Sequence, residues 1–176
     1  MIYEPAEDSF LIENEIKKYS KDKSVLDIGS GSGILALAAK FSKASYVLAA
    51  DINPEAVSYL KSKSLSTIES DLFSNVSESF DIIVFNPPYL PEDEREDKSS
   101  SLITSGGKNG DEIILKFLRQ AKKHLNPAGF ILIVLSSLTP KDNILNLLKD
   151  INMKKEILSK KKIFMETLEV WKITQK

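Results

Sequence analysis

The chain has 176 residues, which is enough for one domain with a sizeable buried core. Its net charge is −1, so the molecule as a whole has no electrostatic attraction for nucleic acid or an anionic membrane. It has no cysteine and one histidine, His124, which excludes disulfides, thiolate metal sites and clusters of several metal-binding histidines within this sequence.

The first residues predict a helix and no targeting segment. Acids stand where a signal peptide needs basic residues and an apolar core, and no stretch approaches the roughly 20 continuous apolar residues of a membrane span. We therefore expect a cytoplasmic protein. Pro5 disfavours a helical conformation at Glu4, so a helix is expected to begin near Asp8 or Ser9, one of which would cap it.

A short strand followed by three alternating glycines is the most informative stretch. Ser24–Ile28 is apolar enough for a parallel strand covered on both faces, and a helix is predicted over residues 32–42. Gly29, Gly31 and Gly33 lie in the turn between them, where glycine lets a ligand approach the N–H groups of the helix. The spacing differs from the dinucleotide-binding G-x-G-x-x-G pattern, and a simple glycine-rich turn remains an alternative for this stretch alone.

Three further strands follow, with a helix between the first two. Asn53 as cap and Pro54 at the first helical position predict that this helix runs to about Lys63. The strands are predicted at Tyr46–Asp51, Leu65–Glu69 and Phe80–Phe85.

The second half of the sequence predicts a polar loop, two helices and three strands. Residues 90–109 contain five acids within Glu92–Asp97, and a gap of this length between elements is typical of a functional or mobile loop, with a plain solvated loop as the alternative for the acidic run. A turn is expected at residues 126–129, and the lysines at 154, 155 and 160–162 are interpreted as a solvated face far from the candidate site. The elements are helices at Asp111–His124 and Asp142–Asp150, a strand at Phe130–Leu135, and a closing antiparallel hairpin at Met153–Ser159 and Ile163–Ile173.

The alternation of strands and helices predicts a single α/β domain over residues 1–176. Its seven-stranded sheet would be mostly parallel, with helices on both faces and the antiparallel hairpin at the end. We divide it into an N-terminal cap and helix (1–20), a cofactor and catalytic core (24–135), and a helix with the hairpin (140–176). Because ligands bind such sheets at the carboxyl ends of the strands, the polar residues that end the strands are expected to form one site.

Three aspartates belong to this expected site. Asp51 ends the second strand about 20 residues after the glycines, where a carboxylate can accept hydrogen bonds from both hydroxyls of a ribose. Asp71 follows the third strand and could accept from the amino group of an adenine, although a solvated turn is its alternative. Asp27 lies within the first strand, where it could brace the glycine turn by accepting N–H bonds.

The tetrapeptide Asn86-Pro87-Pro88-Tyr89 carries the most specific chemistry. The Asn86 carboxamide presents one acceptor, and the carbonyl of Pro87 can present another because proline fixes the backbone. Two acceptors aimed at one NH₂ group would bind a planar amide or aromatic amine and turn its lone pair toward an electrophile, while Tyr89 could stack on the substrate. A proline-rich strand end would explain Pro87 and Pro88 but neither Asn86 nor Tyr89.

These motifs resemble those of class I S-adenosylmethionine-dependent methyltransferases that act on amino groups. Within that superfamily the chain is similar to the HemK-like release-factor glutamine methyltransferases of the short archaeal and eukaryotic type, which implies a Rossmann-like fold. The resemblance covers essentially the whole chain. It rests on Tyr3–Ser9, Asp27–Gly33, Asp51, Asp71-Leu72 and Asn86–Tyr89.

The resemblance implies a set of functional residues. Asn86, Pro87 and Tyr89 would be catalytic, and together with Pro88 they would contact the substrate. No metal is implied. The residues expected to hold S-adenosylmethionine are Glu7, Asp27, Gly29, Gly31, Gly33, Asp51, Ile52, Asp71, Leu72 and Asn86.

The same resemblance implies methylation of the side-chain amide of the glutamine in the Gly-Gly-Gln loop of a class I release factor. Catalysis would come mainly from alignment of the amide nitrogen with the sulfonium methyl group, without a strong general base. Related short members work with a small zinc-binding activator subunit that pairs with an edge strand of the sheet. Here that edge is expected at Leu65–Glu69.

Two other functions remain open on the sequence alone. Adenine-N6 DNA methyltransferases share the tetrapeptide, because the amino group of adenine has the same geometry as an amide NH₂. The acidic run after Tyr89 would repel phosphate, however, so nucleic acid is not the expected substrate. A non-catalytic cofactor-binding interaction module is the other alternative, and the intact Asn86–Tyr89 tetrapeptide argues against it.

Overall fold

A computed structural model gives the structure of residues 4–88 and 107–176. Within these residues seven strands form one sheet in the order β3-β2-β1-β4-β5-β7-β6. The strands are β1 Ser24–Ile28, β2 Tyr46–Asp51, β3 Ser66–Glu69, β4 Phe80–Phe85, β5 Leu125–Ser136, β6 Met153–Lys162 and β7 Thr167–Gln175. The helices are α1 Glu7–Tyr19, α2 Ile34–Phe41, α3 Pro54–Ser62, α4 Glu112–Ala121 and α5 Asp142–Asp150, with a 3₁₀ turn at Lys122–His124.

The strand pairing confirms the predicted fold class. Strands β3, β2, β1, β4 and β5 are parallel neighbours, whereas β7 is antiparallel to both β5 and β6. Val25 of β1 stands beside Val47 of β2 and Ile82 of β4, so the parallel strands are in register and end at a common edge. The carboxyl ends of the parallel strands form this edge, and the strand-ending residues that the sequence predicted for the site lie along it.

Each face of the sheet packs against its own set of helices. Side chains alternate along β1, so Leu26 contributes to the core under α4 and α5, while Val25 faces the core under α1 and α2. Complete burial of a side chain such as Leu26 contributes about 1.5–3 kcal/mol. In the part of the chain that the structure describes, none of the helices has the length and apolar character needed to cross a membrane.

Helix α1 shares a core with the last strand of the chain. Ile12 and Ile16 of α1 belong to the same buried cluster as Leu168 and Val170 of β7. The N-terminal helix is therefore held in place by residues from the far end of the sequence, and it lies over the β5–β7 part of the sheet.

The predicted cap of α1 is wrong. The helix begins at Glu7, its N-cap is Ala6, and no side chain caps it. Asp8 and Ser9 lie inside the first turn, where both are buried. The hydroxyl group of Ser9 is used in a contact with the end of β4, which is described below.

The turn predicted at residues 126–129 is part of β5. The strand starts at Leu125, and its pairing with β4 shifts register between Phe80 and Ile82, which is the geometry of a β-bulge. Ala128 has a φ of 63°, so it supplies the bend. Residues with turn-forming chemistry thus make a bulge inside a long strand instead of ending one element and starting another.

The closing hairpin is present, with longer and shifted strands. Its second strand begins at Thr167 and not at Ile163, because the backbone N–H of Ile163 donates to Glu166 O at 2.9 Å and closes the turn. Strand β6 extends to Lys162, and Lys161 pairs with Glu7 at the start of α1. Lys161 is exposed in this pair, and the distance of the hairpin lysines from the candidate site stays a prediction.

Candidate active site

The glycine turn connects β1 to α2 with three residues in the left-handed region. The φ angles of Gly29, Gly31 and Gly33 are 63°, 50° and 79°, which side chains with a Cβ adopt rarely. At Gly33 a Cβ would also lie 2.4 Å from Cδ2 of Leu60. The local backbone thus requires glycine at Gly33 for two separate reasons, conformation and space.

Asp51 ties the glycine turn to the end of β2. Its Oδ2 accepts the N–H of Gly31 at 2.7 Å, and its Oδ1 accepts the N–H of Asn53 at 2.8 Å. The residue is buried, yet each carboxylate oxygen keeps a second lone pair for another donor. Ile52, the next residue, is an exposed apolar side chain at the same strand end.

Asp27 lies beneath the turn and braces the start of α2. Its Oδ2 accepts the N–H of Ala36 at 3.0 Å, one of the N–H groups in the first turn of that helix that have no partner inside it. Its Oδ1 is buried without a hydrogen-bond partner. Burial raises the pKa of Asp27 to about 8, a shift that the hydrogen bond from Ala36 opposes and the nearby charge of Asp51 increases.

Asp71 and Leu72 follow β3 at the same edge. The carboxylate of Asp71 accepts from Nζ of Lys116 on α4 at 2.7 Å, and both side chains are about half exposed. An exposed ion pair of this kind contributes about 0–1 kcal/mol, so a ligand donor could replace it at little cost. Leu72 is buried, with a φ of 51°. Contact of either residue with an adenine remains a prediction.

Asn86 follows β4, and only the nitrogen end of its side-chain amide has a hydrogen-bond partner. Its Nδ2 donates to Oγ of Ser9 at 3.2 Å, while its Oδ1 is buried without a hydrogen-bond partner. Pro87 is buried directly after it. Tyr89, the predicted stacking residue, and nearly all of the predicted loop 90–109 lie outside the described residues.

The sequence is similar to known methyltransferases. The sequence model of the methyltransferase small domain family matches residues 8–165. The chain belongs to this family. It is therefore a methyltransferase, and the strand ends described above are its candidate active site.

Several relatives share nearly the whole length of this methyltransferase. A protein of Methanocaldococcus jannaschii, provisionally named a protein N5-glutamine methyltransferase, is 40% identical over 96% of this chain and 89% of its own length. Human methyltransferase HEMK2 is 27% identical over 99% of this chain and 90% of its own length. The solved structure of Mtq2 from E. cuniculi, in a complex with Trm112 responsible for methylation of the translation termination factor eRF1, superposes with a TM-score of 0.81 at 26% identity, covering 99% of each chain. These likenesses confirm the HemK-like resemblance.

The structure of the methyltransferase separates the expected site residues into two groups. Asp51 accepts an N–H of the glycine turn, Asp27 accepts an N–H of α2 just after that turn, and Asn86 lies at the neighbouring strand end. Glu7, in contrast, is exposed and paired with Lys161. A role for Glu7 in cofactor binding therefore remains a prediction without a contact that places it beside the glycine turn.

Ser9 is a site residue that the sequence interpretation missed, because it was considered as a helix cap and as part of the Tyr3–Ser9 motif but was given no role in the site. A signal was present: Ser9, Ile12 and Ile16 follow helical spacing on one face, and the two isoleucines are core residues. A serine on the apolar face of an amphipathic helix needs a buried polar partner. The sequence did not show that this partner is Asn86.

Proposed function

We propose that the protein methylates the side-chain amide nitrogen of the glutamine in the Gly-Gly-Gln motif of a class I release factor, with S-adenosylmethionine as methyl donor. One observation carries the proposal: the Oδ1 of Asn86 is a buried acceptor without a partner at the end of β4. Such an atom fits a substrate NH₂ group. The M. jannaschii relative, which is named for glutamine methylation, and the eRF1-methylating Mtq2 complex support glutamine and a termination factor as the acceptor.

The residues at the ends of β1 and β2 fit the proposed cofactor. The left-handed glycines of the turn let a ligand approach the backbone closely at the start of α2, and Asp51 has lone pairs for ribose hydroxyls. Ile52 provides exposed apolar surface at the end of β2, which suits an adenine ring. When bound, S-adenosylmethionine supplies an electrophilic methyl group on a positively charged sulfur.

The chain contributes orientation to the reaction. Asn86 Oδ1 accepts one N–H of the glutamine amide, and we propose that the carbonyl of Pro87 accepts the other. With both N–H bonds directed at the protein, the nitrogen lone pair is drawn out of conjugation with the amide carbonyl and faces the methyl group. Alignment of this kind can supply several kcal/mol, about the scale measured for well-oriented intramolecular reactions. The proton is lost from the methylated nitrogen after transfer, so a strong base is not required.

We further propose that β3 is the docking edge for a small activator subunit. This strand has four residues, pairs with β2 on one side and is the first in the strand order, so its other backbone edge faces no strand of the described chain. The complex of Mtq2 with Trm112 supports a partner of this kind. We also propose that this subunit binds zinc and that the enzyme works in the cytoplasm, beside the translation machinery.

A direct labelling experiment tests the function. The purified protein, with and without its activator, receives radiolabelled S-adenosylmethionine together with a release factor, the same factor with the Gly-Gly-Gln glutamine replaced, or duplex DNA. Label is expected on the intact factor alone. Label on DNA would overturn the proposal in favour of adenine-N6 methylation, and equal label on both forms of the factor would exclude that glutamine as acceptor.

A further inference from the structure

Helix α1 meets the end of β4 through one buried hydroxyl group. Ser9 is 1% exposed, and its Oγ lies 3.2 Å from Nδ2 of Asn86. The same Oγ lies 3.2 Å from Oδ1 of Asp8, which also accepts the backbone N–H of Ser9 at 2.6 Å. Three side chains from two distant parts of the sequence therefore form a continuous run of hydrogen bonds.

The direction of each hydrogen bond follows from the available donors and acceptors. The carboxylate of Asp8 only accepts, so the hydroxyl of Ser9 donates its proton to Asp8. The oxygen of Ser9 then offers lone pairs to Asn86, and the NH₂ end of the carboxamide is the only end that can donate to them. The carbonyl oxygen of Asn86 must point elsewhere, and it is the atom that stays buried and unpaired.

The orientation of this carboxamide decides what the site can bind. The terminal torsion of an asparagine side chain is broad and roughly two-fold, so rotation by about 180° exchanges its oxygen and nitrogen at little intrinsic cost. With the oxygen toward the substrate, Asn86 accepts a hydrogen bond from an amide NH₂. With the nitrogen toward the substrate, two donors would face each other and the contact would be lost.

We propose that Ser9, oriented by Asp8, is a positioning residue that fixes the carboxamide of Asn86 with its oxygen toward the methyl acceptor. The inference rests on the proposed function, because it takes the methyl-accepting amide to bind at the Oδ1 of Asn86. It adds that the first turn of α1 sets which end of the Asn86 carboxamide that amide meets.

Steady-state kinetics with a release factor test the role of Ser9. Ser9→Ala removes the hydroxyl group, but the carboxylate of Asp8 still accepts the backbone N–H of residue 9. We expect kcat to fall about tenfold, the loss of roughly one net hydrogen bond, while KM for the factor and Kd for S-adenosylmethionine change less than about twofold. Ser9→Thr keeps the hydroxyl group and is expected to restore most of the lost kcat.

Ser20→Ala is the matched control. Ser20 is a buried serine at the other end of α1, and its Oγ donates to Ile16 O at 2.6 Å. This variant should lower the melting temperature to a similar degree and leave kcat unchanged. An equal loss of kcat in Ser9→Ala and Ser20→Ala would mean that Ser9 only stabilises the helix, and it would overturn the proposal. A wild-type kcat in Ser9→Ala would overturn it as well.

A second measurement needs no methyl acceptor, so it separates this inference from the proposed function. The side-chain NH₂ signals of Asn86 in a ¹⁵N spectrum are identified by their loss in Asn86→Ala. They should shift in Ser9→Ala and stay in place in Ser20→Ala. Unchanged Asn86 signals in Ser9→Ala would contradict the positioning role even if the release factor is methylated, whereas failure to label the factor would contradict the function alone.

Discussion

The active-site edge of the sheet and the corner around Glu169 of β7 differ in how their buried carboxyl and amide groups are hydrogen-bonded. At the active-site edge, Asp27 and Asn86 each keep one buried oxygen without a partner. At the corner, Glu169 accepts from Lys160 at 2.7 Å, from Lys141 at 3.1 Å and from the indole N–H of Trp171 at 2.9 Å. The two sets of side chains therefore differ in which hydrogen bonds the fold leaves unmade.

The pKa values of the two carboxyl groups show the same contrast. Burial raises the pKa of Asp27 to about 8. Burial also acts to raise the pKa of Glu169, but the hydrogen bonds from Lys160, Trp171 and Lys141 outweigh it and bring the pKa down to about 2. Unsatisfied buried acceptors cost stability, and they are retained where a ligand supplies the missing donor. The corner is therefore built for stability and the strand ends for binding.

Asn86→Ala should have the largest effect on the active-site side. It removes the unpaired acceptor, and we expect methyl transfer to fall at least about 100-fold because the substrate NH₂ loses its alignment. The Kd for S-adenosylmethionine, measured by calorimetry, should stay within about threefold. Asn126→Ala is the control: Asn126 donates to Asp81 Oδ1 at 3.0 Å, so its loss should affect stability and not turnover.

Asp27 should make stability depend on pH in a direction opposite to that of Glu169. Between pH 4 and 8 folded Asp27 keeps a proton that the unfolded chain releases, so stability falls as pH rises, by at most about 1.4 kcal/mol per pH unit. Asp27→Asn mimics the protonated side chain. In urea unfolding of the cofactor-free protein from pH 5 to 8, the variant should gain stability relative to wild type as pH rises; parallel curves would show that Asp27 is not protonated.

Asp51→Ala should weaken cofactor binding by about 1–3 kcal/mol, through lost hydrogen bonds to ribose and a loosened glycine turn. Calorimetric titration with S-adenosylmethionine measures the change. Asp71→Ala is the companion variant, because Asp71 is a half-exposed acid at the neighbouring strand end, paired with Lys116. Wild-type affinity in Asp51→Ala would exclude the ribose role.

Glu169→Gln should have the smallest effect, and only on folding. It removes the charge that Lys141 and Lys160 pair with, and we expect a loss of about 1–2 kcal/mol in the free energy of unfolding at neutral pH. Because the folded-state pKa of Glu169 is lowered, this loss should shrink as pH falls from about 4.5 toward 2. A changed Kd for S-adenosylmethionine would contradict the separation of the two regions.

The sequence predicted the parallel part of the fold well, because that part is encoded locally. The strands β1, β2 and β4 are short apolar runs bounded by glycine, asparagine or proline, and their bounds agree with the prediction. The bulge around Ala128 was missed, since Asn-Pro-Ala-Gly has the chemistry of a turn and only pairing with β4 makes it part of a strand.

The sequence predicted which residues belong to the candidate site, but it did not predict the hydrogen bonds that link them. Strand ends in a parallel sheet must meet, so Asp27, Asp51 and Asn86 could be grouped from their positions. The hydrogen bond between Asn86 and Ser9 joins residues 77 positions apart, and the one between Lys116 and Asp71 joins residues 45 positions apart. Nothing in the local sequence specifies either bond. Such contacts are set by the packing of α1 and α4 on the sheet.

The packing of α1 against β7 has a consequence for how the protein is made. Ile12 and Ile16 share their core with Leu168 and Val170, which are synthesised much later than α1. Chains emerge at about 5–20 residues per second, so α1 waits roughly ten seconds or more for its binding surface. Helix α1 is therefore seated late, and a chain that lacked β7 would carry every motif of the enzyme without part of the surface on which α1 packs.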